Sequence, residues 1–266
     1  MRRGSLFWGA VLVILGILVL LDNLGILGGV SIWNVFWPLL LIFFGLSFLW
    51  GSVFGRRVTE AEQVNIPVNG IEEARLRLRH GAGRLTLSAG ASPGNLLEAS
   101  CAGGIDYQTR REGNTMNLNL RMPSNRIWGV PWNWFPGQTD CSLRLNSDIG
   151  ISFDINTGAS DSRLDLEDLR VPDIRLQTGA SSTHLTLPKS AGHTRVDIES
   201  GVASLSLRVP QGVAARIQVK GGLSGVKVDT QRFARSGSVY QSADYDSAAN
   251  KADIYIQTGV GSVDIR

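Results

Sequence analysis

The chain has 266 residues, enough for two ordinary domains, and 43% of them are hydrophobic, which excludes a disordered or collagen-like polypeptide. Its net charge of +3 belongs entirely to the first 57 residues, where Arg2, Arg3, Arg56 and Arg57 stand against the single acid Asp22; residues 58–266 hold 22 bases and 22 acids. A neutral second part argues against a nucleic-acid partner, whose phosphate backbone calls for a clustered positive excess.

The first 57 residues read as a membrane anchor with two transmembrane helices. Leu6–Leu21 is an uninterrupted run of Leu, Val, Ile, Ala, Gly and aromatics, and Val35–Leu49 is broken only by Pro38, Gly45 and Ser47. Extended through Leu24–Leu27 and back to Ile32, each run approaches the roughly 20 residues that span about 30 Å of hydrocarbon. Trp8, Trp33, Trp37 and Trp50 then fall near the ends, where an aromatic belt places them. Gly28, Gly29 and Ser31 mark the turn of an antiparallel hairpin, and no small-x-small cleavage site follows Leu21. Both outer ends carry the flanking arginines Arg2, Arg3, Arg56 and Arg57, so the positive-inside rule predicts a multi-pass protein whose C-terminal part is cytoplasmic. An extracytoplasmic C-terminal part is the alternative.

Residues 58–150 form a second region, a β region with an aromatic loop. Its two cysteines, Cys101 and Cys141, are 40 apart, a spacing that fits neither a CxxC redox motif nor a zinc site. Two small buried thiols are the expectation, with a disulfide as the alternative if the domain lies outside the cell. The segment Ile127–Gly137 (IWGVPWNWFPG) interrupts the strand pattern. Trp128, Trp132, Trp134 and Phe135 make it the candidate interaction loop, for the membrane interface or for a partner; a hydrophobic cap over one end of the stack is the competing structural reading.

Residues 151–266 form the third region, a β-repeat with a period of about 21 residues. Six copies of one phrase occur in the chain: Leu76–Leu87, Phe153–Leu166, Ile174–Leu187, Val196–Leu207, Ile217–Val228 and Ile254–Ile265. Each places apolar residues five and three before a glycine and two more alternating apolar residues after it, which predicts strand, corner, strand. The glycines Gly158, Gly179, Gly201 and Gly222 are spaced 21, 22 and 21, as the turns of a short solenoid are. Gly81 and Gly259 lie outside that even spacing, and their copies are expected at edges or caps, with an open sheet edge near Gly259. The residue four before each glycine points outward; its column reads Arg77, Asp154, Arg175, Asp197, Gln218, Tyr255 and alternates in sign where the copies are contiguous. The inward columns, Phe153 and Ile155 through Val226 and Val228, predict two narrow sheets facing each other over a core.

The phrases LVLLDNLG at Leu18–Gly25 and WPLLLIFFGL at Trp37–Leu46 resemble the membrane region of LiaI/LiaF-type bacterial cell-envelope stress proteins. The TGA and SGV repeats are similar to the toast-rack β-repeat domain joined to such anchors. The resemblance spans nearly the whole chain. It implies an integral-membrane bacterial protein without catalytic residues, accessory to an envelope-stress system, with the lipid bilayer and a membrane sensor kinase or other envelope-stress protein as partners. Only two spans are visible, fewer than in longer-anchored LiaF regulators.

No P-loop, G-x-S-x-G, H-E-x-x-H or dinucleotide-binding glycine motif occurs, and His80, His184 and His193 are too scattered for a metal or nucleophile-base constellation. No cofactor or metal is expected, and the histidines read as ordinary surface residues. The fold expected is thus a two-helix transmembrane hairpin followed by an all-β repeat domain, a β-solenoid or toast-rack-like stack of short strands. The function expected is that of a non-catalytic, membrane-anchored binding or regulatory protein, which is free to form homo-oligomers. The alternatives are an outward-facing structural or adhesive β-solenoid and a carbohydrate-active enzyme with acids such as Asp154, Asp161, Asp165 and Asp168.

Overall fold

The structure is a computed structural model in which residue 37, residues 62–122 and residues 140–266 are described. Apart from Trp37, the expected transmembrane hairpin lies outside the described residues, as do its flanking Arg2, Arg3, Arg56 and Arg57 and the loop residues Trp128, Trp132, Trp134 and Phe135. Among the described residues, no helix is long and apolar enough to cross a membrane.

Among the described residues thirteen strands follow one another: β1 (Glu62–Pro67), β2 (Glu73–Ala89), β3 (Asn95–Cys101), β4 (Asp106–Glu112), β5 (Thr115–Met122), β6 (Cys141–Leu145) and β7 (Gly150–Asp165). After them come β8 (Asp173–Thr186), β9 (His193–Arg208), β10 (Ala214–Val228), β11 (Phe233–Ser236), β12 (Val239–Ser242) and β13 (Lys251–Ile265). Period-2 alternation produces them. In β8, Ile174, Leu176 and Thr178 are buried while Arg175 is exposed, and on the far side of Gly179 the buried set resumes at Thr183 and Leu185. Two consecutive exposed residues, Gly179 and Ala180, shift the phase between the halves. Each long strand is therefore two arms joined at a glycine corner, and both arms bury one face in a single shared core.

The six predicted copies are β2, β7, β8, β9, β13 and β10, stacked parallel in that order. The order corrects two expectations. The copy around Gly259 is no cap: β13 lies between β9 and β10, paired with both along its length, so no open edge exists near Gly259. The copy around Gly81 is internal too, with β7 on one side and β5 and β6 on the other. The excursion through β11 and β12 makes the first correction possible. It lets the chain leave β10 and return to the gap beside β9, where Ile254 meets Val196 on one side and Ile217 on the other. The two facing sheets are likewise one continuous sheet bent at its corners. The 58–150 and 151–266 regions share that sheet and that core.

A seventh turn of the stack is split. The strand β5 pairs with the first arm of β2, ending with Met122 opposite His80, and β6 pairs with the second arm, starting with Cys141 opposite Leu85. Together they occupy the place of the two arms of one long strand, with residues 123–140 between them in the sequence. Beyond this turn, β4 covers β5, while β3 and then β1 cover β6. At the other end β12 covers only Arg216–Gln218 of β10. The second arm of β10 has no strand on its far side among the described residues, and Val226, expected inside, is 38% exposed.

Cys101 and Cys141 stand directly opposite in the antiparallel β3–β6 pair and are joined by a disulfide, with Cα atoms 4.2 Å apart. This corrects the expectation of two free thiols. Forty residues of sequence separation conceal an adjacency that strand pairing creates.

Candidate interaction surfaces

Three surfaces of the stack differ in chemistry: the corner row, the layer just beneath it, and the outer face of the first arms. The corner row holds every glycine expected there, in the spatial order Gly81, Gly158, Gly179, Gly201, Gly259, Gly222. A Cβ on Gly179 would lie 3.1 Å from the carbonyl oxygen of Gly158, one on Gly201 3.0 Å from that of Gly179, and one on Gly222 2.9 Å from that of Gly259. None of the six has a left-handed φ. Close approach of neighbouring backbones, not conformational freedom, is what makes glycine the residue here. The next residue along forms an outer ridge, Ala82, Ala159, Ala180, Val202 and Val260 in register. Val202 is 60% exposed and Val260 48%, so the ridge is apolar and open.

Beneath the corner, the residue before each glycine points inward, giving the row His80, Thr157, Thr178, Ser200, Thr258. His80 is 3% exposed, which overturns its reading as a surface histidine. His184, by contrast, is exposed as expected. Both ring nitrogens of His80, and the hydroxyls of Thr157, Ser200 and Thr258, lack a hydrogen-bond partner among the described residues. Burial holds the His80 imidazole below its ordinary pKa, against the smaller raising influence of the Gly83 backbone and Asp140. The sign of the consequence follows. Below about pH 6.5 the unfolded chain takes up a proton at this residue that the folded chain refuses, so stability present above that pH declines as pH falls toward the depressed folded value. We expect wild type to lose stability relative to His80→Met between about pH 6.5 and 5, with a slope of at most about 1.4 kcal/mol per pH unit. Urea denaturation at several pH values checks this, and parallel curves for the two proteins would refute it.

The outer face of the first arms is polar. Arg77 on β2 pairs with Asp154 on β7 at 2.9 Å, and Gln177 on β8 donates to Glu199 on β9 at 3.1 Å. Asp197 is held by Arg195 of its own strand at 3.0 Å, not by Arg175, so the alternating column is only partly realised as ion pairs. Tyr255 stands between Asp197 and Gln218 and is 43% exposed. At the base of this face Asp253 accepts from the Tyr245 hydroxyl at 2.6 Å and lies 2.8 Å from His193 Nε2. The Arg216 guanidinium sits 4.2 Å over the Tyr245 ring. Burial, with the bond to Asp253, pushes the Tyr245 hydroxyl up to about 12. This cluster fastens the returning excursion onto β13 and β10.

Three of the four acids considered for an enzyme form ion pairs with neighbouring cations. Asp154, Asp161 and Asp168 are engaged by Arg77, Arg84 and Lys189. Among the described residues, no group of three or more His, Cys, Asp or Glu could hold a metal ion.

What sequence reasoning missed is the split turn. Its signal was present in the alternation Met116, Leu118, Leu120, Met122 and again Cys141, Leu143, Leu145, all buried, but the insertion removed the glycine that identifies a copy. Both ends of that insertion flank the corner of β2. Glu62, the first residue of β1, lies opposite Cys101 and so in the same crosswise row as Cys141. Glu62 and Cys141 thus stand two strands apart in the stack, about 10 Å.

Comparison with known proteins accords with this architecture. The family described as the N-terminal domain of toast_rack, DUF2154, matches residues 55–208, and the LiaI-LiaF-like transmembrane region matches residues 6–49. No curated protein matches the chain. A crystal structure of a "putative cell adhesion protein" from Clostridium sporogenes ATCC 15579 is 20% identical, with a TM-score of 0.69 over 77% of this chain and 98% of that one. A "putative adhesin" from Bacteroides fragilis NCTC 9343 is 8% identical, with a TM-score of 0.20 over 78% of this chain and 97% of that one. The first likeness shows the fold; the second carries no argument.

Proposed function

Since the chain belongs to the toast_rack N-terminal-domain family and carries a LiaI-LiaF-like transmembrane region, we propose that it is a membrane-anchored, non-catalytic binding or regulatory protein of the bacterial envelope, accessory to envelope-stress signalling. The observation that carries this reading is the union, in one chain, of that membrane region with a rigid stack whose corner edge is apolar and open. Its partners on this reading are the lipid bilayer and a membrane sensor kinase or other envelope-stress protein. The insertion bearing Trp128, Trp132, Trp134 and Phe135 is the proposed contact segment. The described residues on either side of it support this, because Met122 and Cys141 pair with β2 on the two sides of its corner, beside the apolar ridge.

The disulfide favours a second reading. Cytosolic thiols are kept reduced, whereas a bridge such as Cys101–Cys141 persists in an oxidising compartment. It supports an outward-facing domain with a binding or adhesive role, against the cytoplasmic placement that the four flanking arginines support. Topology decides between them. A Ser247→Cys chain with Cys101→Ser and Cys141→Ser, treated in intact cells with a membrane-impermeant maleimide, is expected to label if the bridge guides the assignment correctly. Labelling only after permeabilisation would return the domain to the cytoplasm and to an intracellular partner.

A further inference from the structure

Two arginines stand side by side on the outer face of the stack, and neither forms an ion pair among the described residues. Arg79 on β2 and Arg121 on β5 are directly opposite in the parallel β2–β5 pair, where adjacent backbones run about 4.8 Å apart. Neither makes an ion pair or a side-chain hydrogen bond with any described residue. Like charges directly opposite on neighbouring strands repel, and elsewhere on the same face the stack avoids them: Arg77 meets Asp154 and Asp173 lies opposite Arg195.

The surroundings of the pair are open and polar. A cavity of about 450 Å³ lies on one side, lined by Arg77, Arg79, Arg121, Gln108, Asn119 and Tyr107, with Asp106 as its one acid. A second cavity of about 440 Å³ lies toward the corner and is also lined by Arg79 and Arg121. Asp106 faces Arg121 across the β4–β5 pair but forms no ion pair with it among the described residues. Arg77 is already held by Asp154, which leaves Arg79 and Arg121, both lining the two cavities, as the guanidinium forks without an ion pair among the described residues here. Such forks donate in pairs to tetrahedral oxyanions, and a fixed pair one strand spacing apart can share one.

We propose that Arg79 and Arg121 form a binding site for a phosphate group, with Asn119 and Gln108 as further donors and Tyr107 at the rim against the organic part of the ligand. The phosphate is that of a lipid headgroup or of a soluble phosphate compound; the recognition chemistry is the same. The site does not depend on which side of the membrane the domain occupies. Binding would cancel the repulsion that the empty pair carries, so the bound chain is the more stable one.

The test uses the full chain in nanodiscs, followed by thermal denaturation of its β signal. In discs of phosphatidylcholine alone, pyrophosphate is the probe. At one hundred times its dissociation constant the midpoint should rise by about 5–10 °C. In discs containing phosphatidylglycerol, a rise without added pyrophosphate identifies the lipid as the source. An Arg79→Gln/Arg121→Gln chain should need more than ten times as much of either ligand for the same rise, and Arg79→Lys/Arg121→Lys should fall between, since charge is kept and the fork is lost. The exposed Arg163→Gln, which removes one charge from β7, should behave as wild type. No midpoint rise in wild type with either source, or an equal rise in the double glutamine chain, overturns the proposal. Because the glutamine substitutions relieve repulsion and all the substitutions lie at exposed positions, the variants are expected to fold, and an unliganded midpoint of the double glutamine chain at or above that of wild type verifies it.

Discussion

Replacing Leu185 with aspartate should abolish cooperative folding of the β domain. Leu185 is 1% exposed and sits in an unbroken row, Leu87, Leu164, Leu185, Leu207, Ile265 and Val228, each opposite the next across parallel strands. Truncating a buried leucine alone costs about 2–5 kcal/mol. A carboxylate adds the cost of desolvating a charge, and the row offers it neither cation nor hydrogen-bond donor. The combined penalty, more than about 5 kcal/mol, is comparable with the whole stability of an ordinary domain. Its neighbour His184 points the other way and is exposed. His184→Asp should therefore change stability by less than about 0.5 kcal/mol, and Leu185→Met by less than about 1.5 kcal/mol. Calorimetry on the three variants gives the answer. A sharp transition for Leu185→Asp within a few degrees of wild type would mean that the two arms do not share a core.

That prediction was available from the repeat alone, because alternation about a glycine fixes which side of each arm is buried. The row beneath the corner was equally legible. Thr157, Thr178, Ser200 and Thr258 all precede a glycine at the inward position, and His80 occupies the same place in its copy, so its burial follows from the column. Spatial order was not legible. Nothing local in Ile254–Ile265 distinguishes a strand that caps a stack from one that enters it between two others; the choice rests on the length and return of the excursion from Asp229 to Asn250 and on what β9 leaves unpaired. The Arg79–Arg121 juxtaposition was hidden for a related reason. Arg121 belongs to the split turn, and without that turn in register its neighbour cannot be known. The disulfide is the same case, since Cys101 and Cys141 become neighbours only when β3 closes on β6.

Substituting Gly259 tests the contact between corners. A Cβ there would lie 2.6 Å from the carbonyl oxygen of Gly201 and 3.6 Å from its carbonyl carbon. The obstacle is backbone, held on both flanks by pairing of β13 with β9 and β10, and it cannot swing aside as a side chain would. Nothing offsets the collision, because the corner is exposed and an added methyl gains little burial. Gly259→Ala should therefore cost about 2 kcal/mol, and Gly259→Val, which adds two branched methyls to the same contact, about 3 kcal/mol or more. For a domain of this size those losses lower the midpoint by roughly 4–8 °C and 6–12 °C. Gly225 supplies the contrast: it lies on β10, has no left-handed φ, and a Cβ there meets nothing within 4 Å. Gly225→Ala should leave stability unchanged or raise it by up to about 1 kcal/mol through the unfolded chain. Equal midpoints for Gly259→Ala and wild type would show that the corners have slack, and the recurrence of glycine at the corners would then need an origin other than backbone contact. A large loss at Gly259 with none at Gly225 would tie the corner glycines to one physical requirement: a corner at which successive turns touch through their main chains.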